Sequence, residues 1–165
     1  MNLDKEKLKN LDKLPPDIKR QFALYMNQWK EKKKESQIAT NFMDFVKHVW
    51  PDFIEGSHHK IVADKFNKLA SGKIKRLIIN MPPRHTKSEF ASFLLPAWMV
   101  GKNPKLKIIQ STNTTELSVR FGRKAKQLMD SVEYKQVFKT RLREDSQAAG
   151  KWETEQGGEY YAAGV

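Results

Sequence analysis

KRLIINMPPRHTKSEFA, running from Lys75 to Ala91, is the stretch that decides how this chain is read. It opens as a short apolar run, Leu77-Ile78-Ile79, rich in β-branched residues. Such a run suits a buried strand of a parallel sheet. Pro82-Pro83 ends it, because neither proline can donate to a sheet ladder. Arg84-His85-Thr86 follows, then Lys87-Ser88, and then a helical pattern begins. Strand, tight loop, Lys-Ser and helix is the layout of a phosphate-binding loop. In that layout backbone N–H groups and a helix N-terminus face phosphate, the lysine reaches the β and γ phosphates, and the hydroxyl holds Mg²⁺.

The consensus is met only at Lys87 and Ser88. The usual glycines fall at Met81 and Thr86. If the loop needs positive φ at Thr86, a β-branched residue is strained there. An ordinary strand-to-helix turn with a solvated lysine remains open on these residues alone.

Composition narrows the classes. The chain has 165 residues, enough for one domain with a core, and no cysteine, which excludes disulfides and thiolate metal sites. Absence of cysteine fits a reducing cytoplasm. No run approaches the ~20 apolar residues of a membrane span, and MNLDKEKLKN has no apolar signal region. A formal net charge of +12 makes a polyanion partner plausible, although a lysine-rich soluble surface gives the same figure.

Upstream of the loop the pattern is helical. Residues 3–13 predict a short polar helix, interrupted by Pro15-Pro16. A second helix has Pro16 at its first position and Asp17 in its first turn, with Ile18, Phe22, Tyr25, Met26 and Trp29 along one face. It runs into Lys30-Glu31-Lys32-Lys33-Lys34-Glu35, a solvated helix end or a basic face for DNA. Residues 41–50 predict a helix on Phe42, Phe45, Val46, Val49 and Trp50, capped by Asn41 or Thr40 and ended by Pro51. Ser57 opens another from His58 to Ala70, with Gly72 at its C-terminal end. Adjacent His58 and His59 project about 100° apart on a helix and have no clustered third ligand, which argues against a metal ion.

Downstream, Lys87 to Val100 predicts a helix burying Phe90, Phe93, Leu94, Ala97 and Trp98, with a kink or early break at Pro96. Lys105–Thr112 predicts a second strand. Ser111, Thr112 and Asn113 then stand at its C-terminal end, where ligands gather in α/β sheets. Glu116–Ser131 predicts a helix whose Arg120, Arg123, Lys124 and Lys126 form a solvated face or a DNA contact. Tyr134–Phe138 predicts a helical turn and Lys139–Gly150 a loop. Trp152–Thr154 and Glu159–Ala162 flank Gly157-Gly158 as a β-hairpin, with the glycines supplying positive φ.

INMPPRHTKSE resembles the deviant Walker A segment of bacteriophage terminase large subunits, which often reads PPRHGKSE. PAWMVGKNP is similar to that family's PAWYLGRNP. KIIQST with Asn113, FGR, and W.T..GG.Y.A.GV also have counterparts there, in the same order, from about Asp44 to Val165. The resemblance implies a P-loop NTPase fold of the RecA/ASCE-like type. This is an α/β architecture with a parallel sheet flanked by helices, here incomplete. Residues 1–40 would be a helical N-terminal extension and 41–165 the N-terminal portion of the ATPase domain.

The same resemblance implies an ATP-driven motor that packages double-stranded DNA into procapsids. Its catalytic residues would be Arg84 and Lys87. ATP would lie on Pro83, Arg84, His85, Thr86, Lys87, Ser88 and Glu89, with Ser88 ligating Mg²⁺. An upstream segment contacts adenine in the family, and Trp50, Phe53, His58 and His59 occupy that place. The implied partners are DNA, a small terminase subunit and a portal protein, with the motor acting as a ring on the capsid portal in the host cytoplasm. No Walker B strand ending in paired carboxylates is legible, and no nuclease domain. The chain is therefore expected to be the front of a longer or split protein, catalytically incomplete alone, whose parent is also an endonuclease. A fragment of another P-loop translocase or helicase, and a non-enzymatic basic DNA-binding module, are the competing expectations.

Overall fold

Asn41 sets the first element of the core. Its side-chain oxygen accepts from the N–H groups of Met43 and Asp44, at 2.9 and 3.2 Å, and so caps a helix over Phe42–Val49. The structure is a computed structural model that describes residues 15–165. The helix expected over 3–13 lies outside them. By its contacts the chain divides into a segment ending at Ser36 and a unit spanning Gln37–Val165.

The first described helix, α1, runs Pro16–Thr40. The charge run at Lys30–Glu35 is therefore the middle of a helix and not its end, because neither glycine nor proline interrupts the helix-forming residues up to Thr40. Its apolar face is largely open: Ile18, Tyr25 and Trp29 are exposed, and the Lys33 ammonium lies 5.0 Å from the Trp29 ring centroid. Among the described residues no helix is long and apolar enough to cross a membrane.

The larger unit continues with α2 (Phe42–Val49) and α3 (Ser57–Ala70). Gly72 ends α3 at φ +74, as its position predicted. After the loop, Lys87-Ser88 start a helix whose next turn, Glu89–Leu94, is π-helical and passes into α4, Leu95–Lys102. Pro96 explains the change of pitch. It has no N–H for the regular ladder, and Leu95 N–H bonds Phe90 O five residues back. Then come β1 (Lys107–Thr112), α5 (Thr115–Asp130), α6 (Val132–Val137), β2 (Leu142–Ala148), β3 (Lys151–Thr154) and β4 (Glu159–Gly164).

Among the described residues the sheet has four strands in the order β1-β4-β3-β2. It is mixed, which corrects the expected parallel sheet: β1 pairs with β4 in parallel, while β4-β3-β2 is an antiparallel meander. Two further expectations are corrected. Lys139–Gly150 is not a loop, since Leu142–Ala148 forms edge strand β2. Its polar sequence is held by ion pairs from Arg143 to Asp145 and Glu153, at 2.6 and 3.0 Å, and not by an apolar pattern. Leu77–Ile79 joins no ladder among the described residues. Leu77 and Ile79 pack on the core and Ile78 is 87% exposed, so the alternation of a strand is present without a partner.

The core has two centres. Phe42, wholly buried, makes edge-on contacts with Phe66, Phe90 and Trp98 at 5.0, 5.4 and 5.4 Å. Under the sheet, Trp152 and Tyr160 stack 4.7 Å apart, and Trp152 donates to Gly122 O on α5. Helix α5 packs on β1 and β4 and also against the helices that follow the loop.

The expected hairpin forms between β3 and β4, with Gly157 at φ +89. Gly158 is there for a different reason. A Cβ on it would stand 2.8 Å from Leu106 O and nearer still to Pro104 O, both backbone atoms. Gly158→Ala is expected to destabilise the protein by ~2 kcal/mol or more, as overpacking against backbone does. Urea denaturation checks this, and a midpoint equal to the parent's would refute it.

Candidate functional site

The loop after Pro83 has an unusual backbone. Arg84 and Thr86 stand at φ 64 and 60, the only non-glycine residues at positive φ among those described, so the sign of φ alternates from Pro83 to Lys87. Alternating handedness turns successive N–H groups toward a common centre, which makes an anion-binding concavity. Thr86 O accepts the first helical bond, from Phe90 N–H at 2.9 Å. The N–H groups of the first turn thus remain at the mouth, at the positive end of the helix. The positive φ that would strain a threonine at position 86 is present. That of Arg84 had no signal in the sequence.

The side chains around this concavity are cationic or polar. A cleft of about 330 Å³ is lined by Pro82, Pro83, Arg84, Thr86, Lys87, Ser88 and Glu89. Lys87 is exposed, with its ammonium 3.4 Å from Met81 O across the loop. Arg84 and Ser88 are exposed too. His85 donates from Nδ1 to Pro83 O at 2.9 Å, a bond that tightens the turn. Glu89 is engaged elsewhere: Lys124 on α5 donates to both its oxygens at 2.7 and 3.0 Å. Lys124, expected in a solvated or DNA-facing group, thus ties α5 to the helix behind the loop. Nothing in a linear reading joins two residues 35 apart.

The upstream aromatic and histidine residues split into two places. Trp50 is half-buried and lines a separate cleft of about 520 Å³ with Val49, Phe93, Leu94, Leu128 and the Glu89–Lys124 pair. Phe53 and His59 lie beneath the loop. Phe53 is 5.3 Å from the Trp50 ring, 4.8 Å from His59 and 5.5 Å from Phe90. His58 packs on His59 at 3.8 Å and approaches His85 at 5.7 Å. Among the described residues no group of three or more His, Asp or Glu side chains is arranged to hold a metal.

His59 is buried, at 6% exposure. Burial, then the charges of His58 and His85, holds its pKa below the usual 6.5, against the opposing pull of Glu55. Glu55 is itself paired with Lys47.

The acidic pair Glu144-Asp145 lies in β2, at the opposite edge of the sheet from β1, and Asp145 is taken up by Arg143. No family model, curated protein or solved structure matches this chain.

Proposed function

We propose that the chain binds the polyphosphate of Mg-ATP on the loop Pro83–Ser88 and belongs to the ATPase domain of a phage DNA-packaging motor of the terminase large-subunit type. The observation that carries the phosphate reading is the alternation of φ at Arg84 and Thr86 in front of a helix start bearing an exposed lysine. The motor reading is carried by the sequence resemblance, and a P-loop NTPase fold is part of the same proposal. The net charge of +12 suits a DNA track.

The residues fit the nucleotide. The first-turn N–H groups and Lys87 would hold the β and γ phosphates, and the Ser88 hydroxyl would take Mg²⁺. Arg84 would offer its guanidinium to charge developing on the transferred phosphoryl group. The Mg²⁺ that Ser88 would hold supplies positive charge against that of the phosphates. His58 stands near His85 on the loop, while Trp50 lines the cleft at Glu89, through which any contact of Trp50 with a base would run. Among the described residues no strand beside the loop ends in paired carboxylates, so binding without appreciable hydrolysis is the expected behaviour. Portal, small terminase subunit and a ring assembly in the host cytoplasm are partners and setting of the proposed motor.

Isothermal calorimetry of the 165-residue chain with Mg-ATP is the test. One saturable site per chain, weakened when Mg²⁺ is chelated, is the expected result. A folded chain that gives no heat would withdraw the proposal.

A further inference from the structure

Thr86 poses a problem that its neighbours solve. A β-branched residue at φ 60 is held in a sparsely populated region, and such strain persists only where contacts over-determine it. Two hydrogen bonds do so here. Thr86 Oγ1 lies 2.7 Å from His59 Nε2 and donates to His85 O at 2.6 Å. Gly56 N–H donates to His59 Nδ1 at 2.8 Å, so Nδ1 carries a lone pair. A neutral ring then has its proton on Nε2 and donates it to Thr86. The chain of donors runs in one direction: Gly56 N–H to His59, His59 to Thr86, Thr86 to the His85 carbonyl.

We infer that His59 is a positioning residue, which pins Thr86 in the left-handed conformation that shapes the phosphate concavity. The inference rests on the phosphate reading proposed above. His59 suits the task because several neighbours hold it. Its ring packs against Phe53 and Phe90, at 4.8 and 5.1 Å, and its Nδ1 caps the first turn of α3. The pin therefore links the start of one helix to the start of another, 27 residues on. A glycine at position 86 would need no such support. The hydroxyl and the imidazole work as a pair.

The pin holds only while His59 is neutral. A second ring proton would face Gly56 N–H and break the chain of bonds. The charged or titratable groups around the ring are His58 on α3, Glu55 before it with its flanking Lys47 and Lys60, and His85 on the loop. Lys87 lines the same small space beneath the loop. Phe53 and Phe90 add none. Because the folded pKa is depressed, the contribution of the pin is complete above the usual histidine pKa. It is lost as pH falls through the lower folded value.

Two readouts test this. Nitrogen-15 NMR of the imidazoles, without nucleotide, is expected to show His59 as the Nε2–H tautomer, titrating below an ordinary histidine. Mixed tautomers with an ordinary titration would overturn the pin, whatever nucleotide does. Calorimetry with Mg-ATP then reads its purpose. Thr86→Val keeps the branched shape without the hydroxyl and is expected to bind ~tenfold more weakly, the equivalent of ~1.4 kcal/mol, because the backbone strain at position 86 is then not offset. Thr86→Gly is expected to bind at least as tightly as the parent and to lose the parent's extra weakening at acid pH. His59→Phe is expected to weaken binding with threonine at 86 and to be nearly neutral with glycine there. Binding by Thr86→Val equal to the parent's sinks the positioning role alone. A pinned tautomer with no Mg-ATP binding in any variant sinks the phosphate reading, and the positioning role with it.

Discussion

Lys87→Ala is expected to weaken Mg-ATP binding at least ~hundredfold, the equivalent of ~2.7 kcal/mol. The magnitude follows from what the lysine is in the free protein. It is exposed, and its hydrogen bond is a long one of 3.4 Å to Met81 O, so little has to be broken before it meets a phosphate. A charge-assisted contact to phosphate is among the stronger hydrogen bonds a side chain makes. The other contributors proposed for the site, the first-turn N–H groups, Arg84 and the Ser88 hydroxyl, are left in place by the substitution. The same weak engagement means that stability is expected to be unchanged, so the thermal midpoint is the control. Lys87→Arg is expected to recover part of the affinity. It restores the charge but replaces a compact ammonium with a planar fork. Calorimetry reads all three, and Mg-ATP affinity in Lys87→Ala within about twofold of the parent would show that the loop is not the phosphate site.

Phe42→Ala is expected to cost ~3–5 kcal/mol of unfolding free energy. The side chain is fully buried and meets three aromatic rings edge-on, at 5.0 to 5.4 Å. Each such pair adds ~0.5–1.5 kcal/mol beyond burial. Against a typical total of ~5–15 kcal/mol, that is a large fraction of the whole. One of the three rings is Phe90, whose N–H makes the first helical bond behind the loop. Nucleotide affinity is therefore expected to fall together with stability, in contrast to Lys87→Ala, where the two separate. Urea denaturation followed by tryptophan fluorescence measures the first quantity. A loss below ~1 kcal/mol would mean that the aromatic cluster relaxes to fill the space.

These two residues also mark what a linear reading can reach. Phe42 was legible because Asn41 and the spacing of Phe42, Phe45, Val46 and Val49 fix both the cap and the buried face of a short helix. Lys87 was legible because two prolines, a short loop and Lys-Ser are local chemistry. Gly72 and Gly157 were legible as positions of positive φ. What escaped depends on neighbours in space. β2 is a strand because β3 offers it a ladder and Arg143 binds across it, while its own residues carry no apolar alternation. Leu77–Ile79 has that alternation and lacks the ladder. The π-helical turn is a consequence of Pro96 meeting a helix already under way, and the sequence announced only the proline. In the candidate site, Lys124 reaches Glu89 and His59 reaches Thr86 over 35 and 27 residues. Trp50 and His59 read alike in sequence as aromatic groups ahead of the loop. The structure sends one to a side cleft and the other under the backbone.

The sheet has a consequence for how the protein behaves in bulk. Among the described residues β1 is an edge strand, so half of its ladder groups have no strand beside them there. On the outer face Ile109 and Tyr161 are register partners and are 77% and 49% exposed. An open edge beside an apolar patch is a template for adding strands from other molecules. What opposes it at low ionic strength is the mutual repulsion of molecules carrying +12. Salt shortens the reach of that repulsion to ~10 Å at 0.1 M and leaves hydrophobic contact intact. Colloidal stability of the protein at low salt is thus expected to be borrowed from its basic surface, whose repulsion keeps the bare edge from finding a copy of itself.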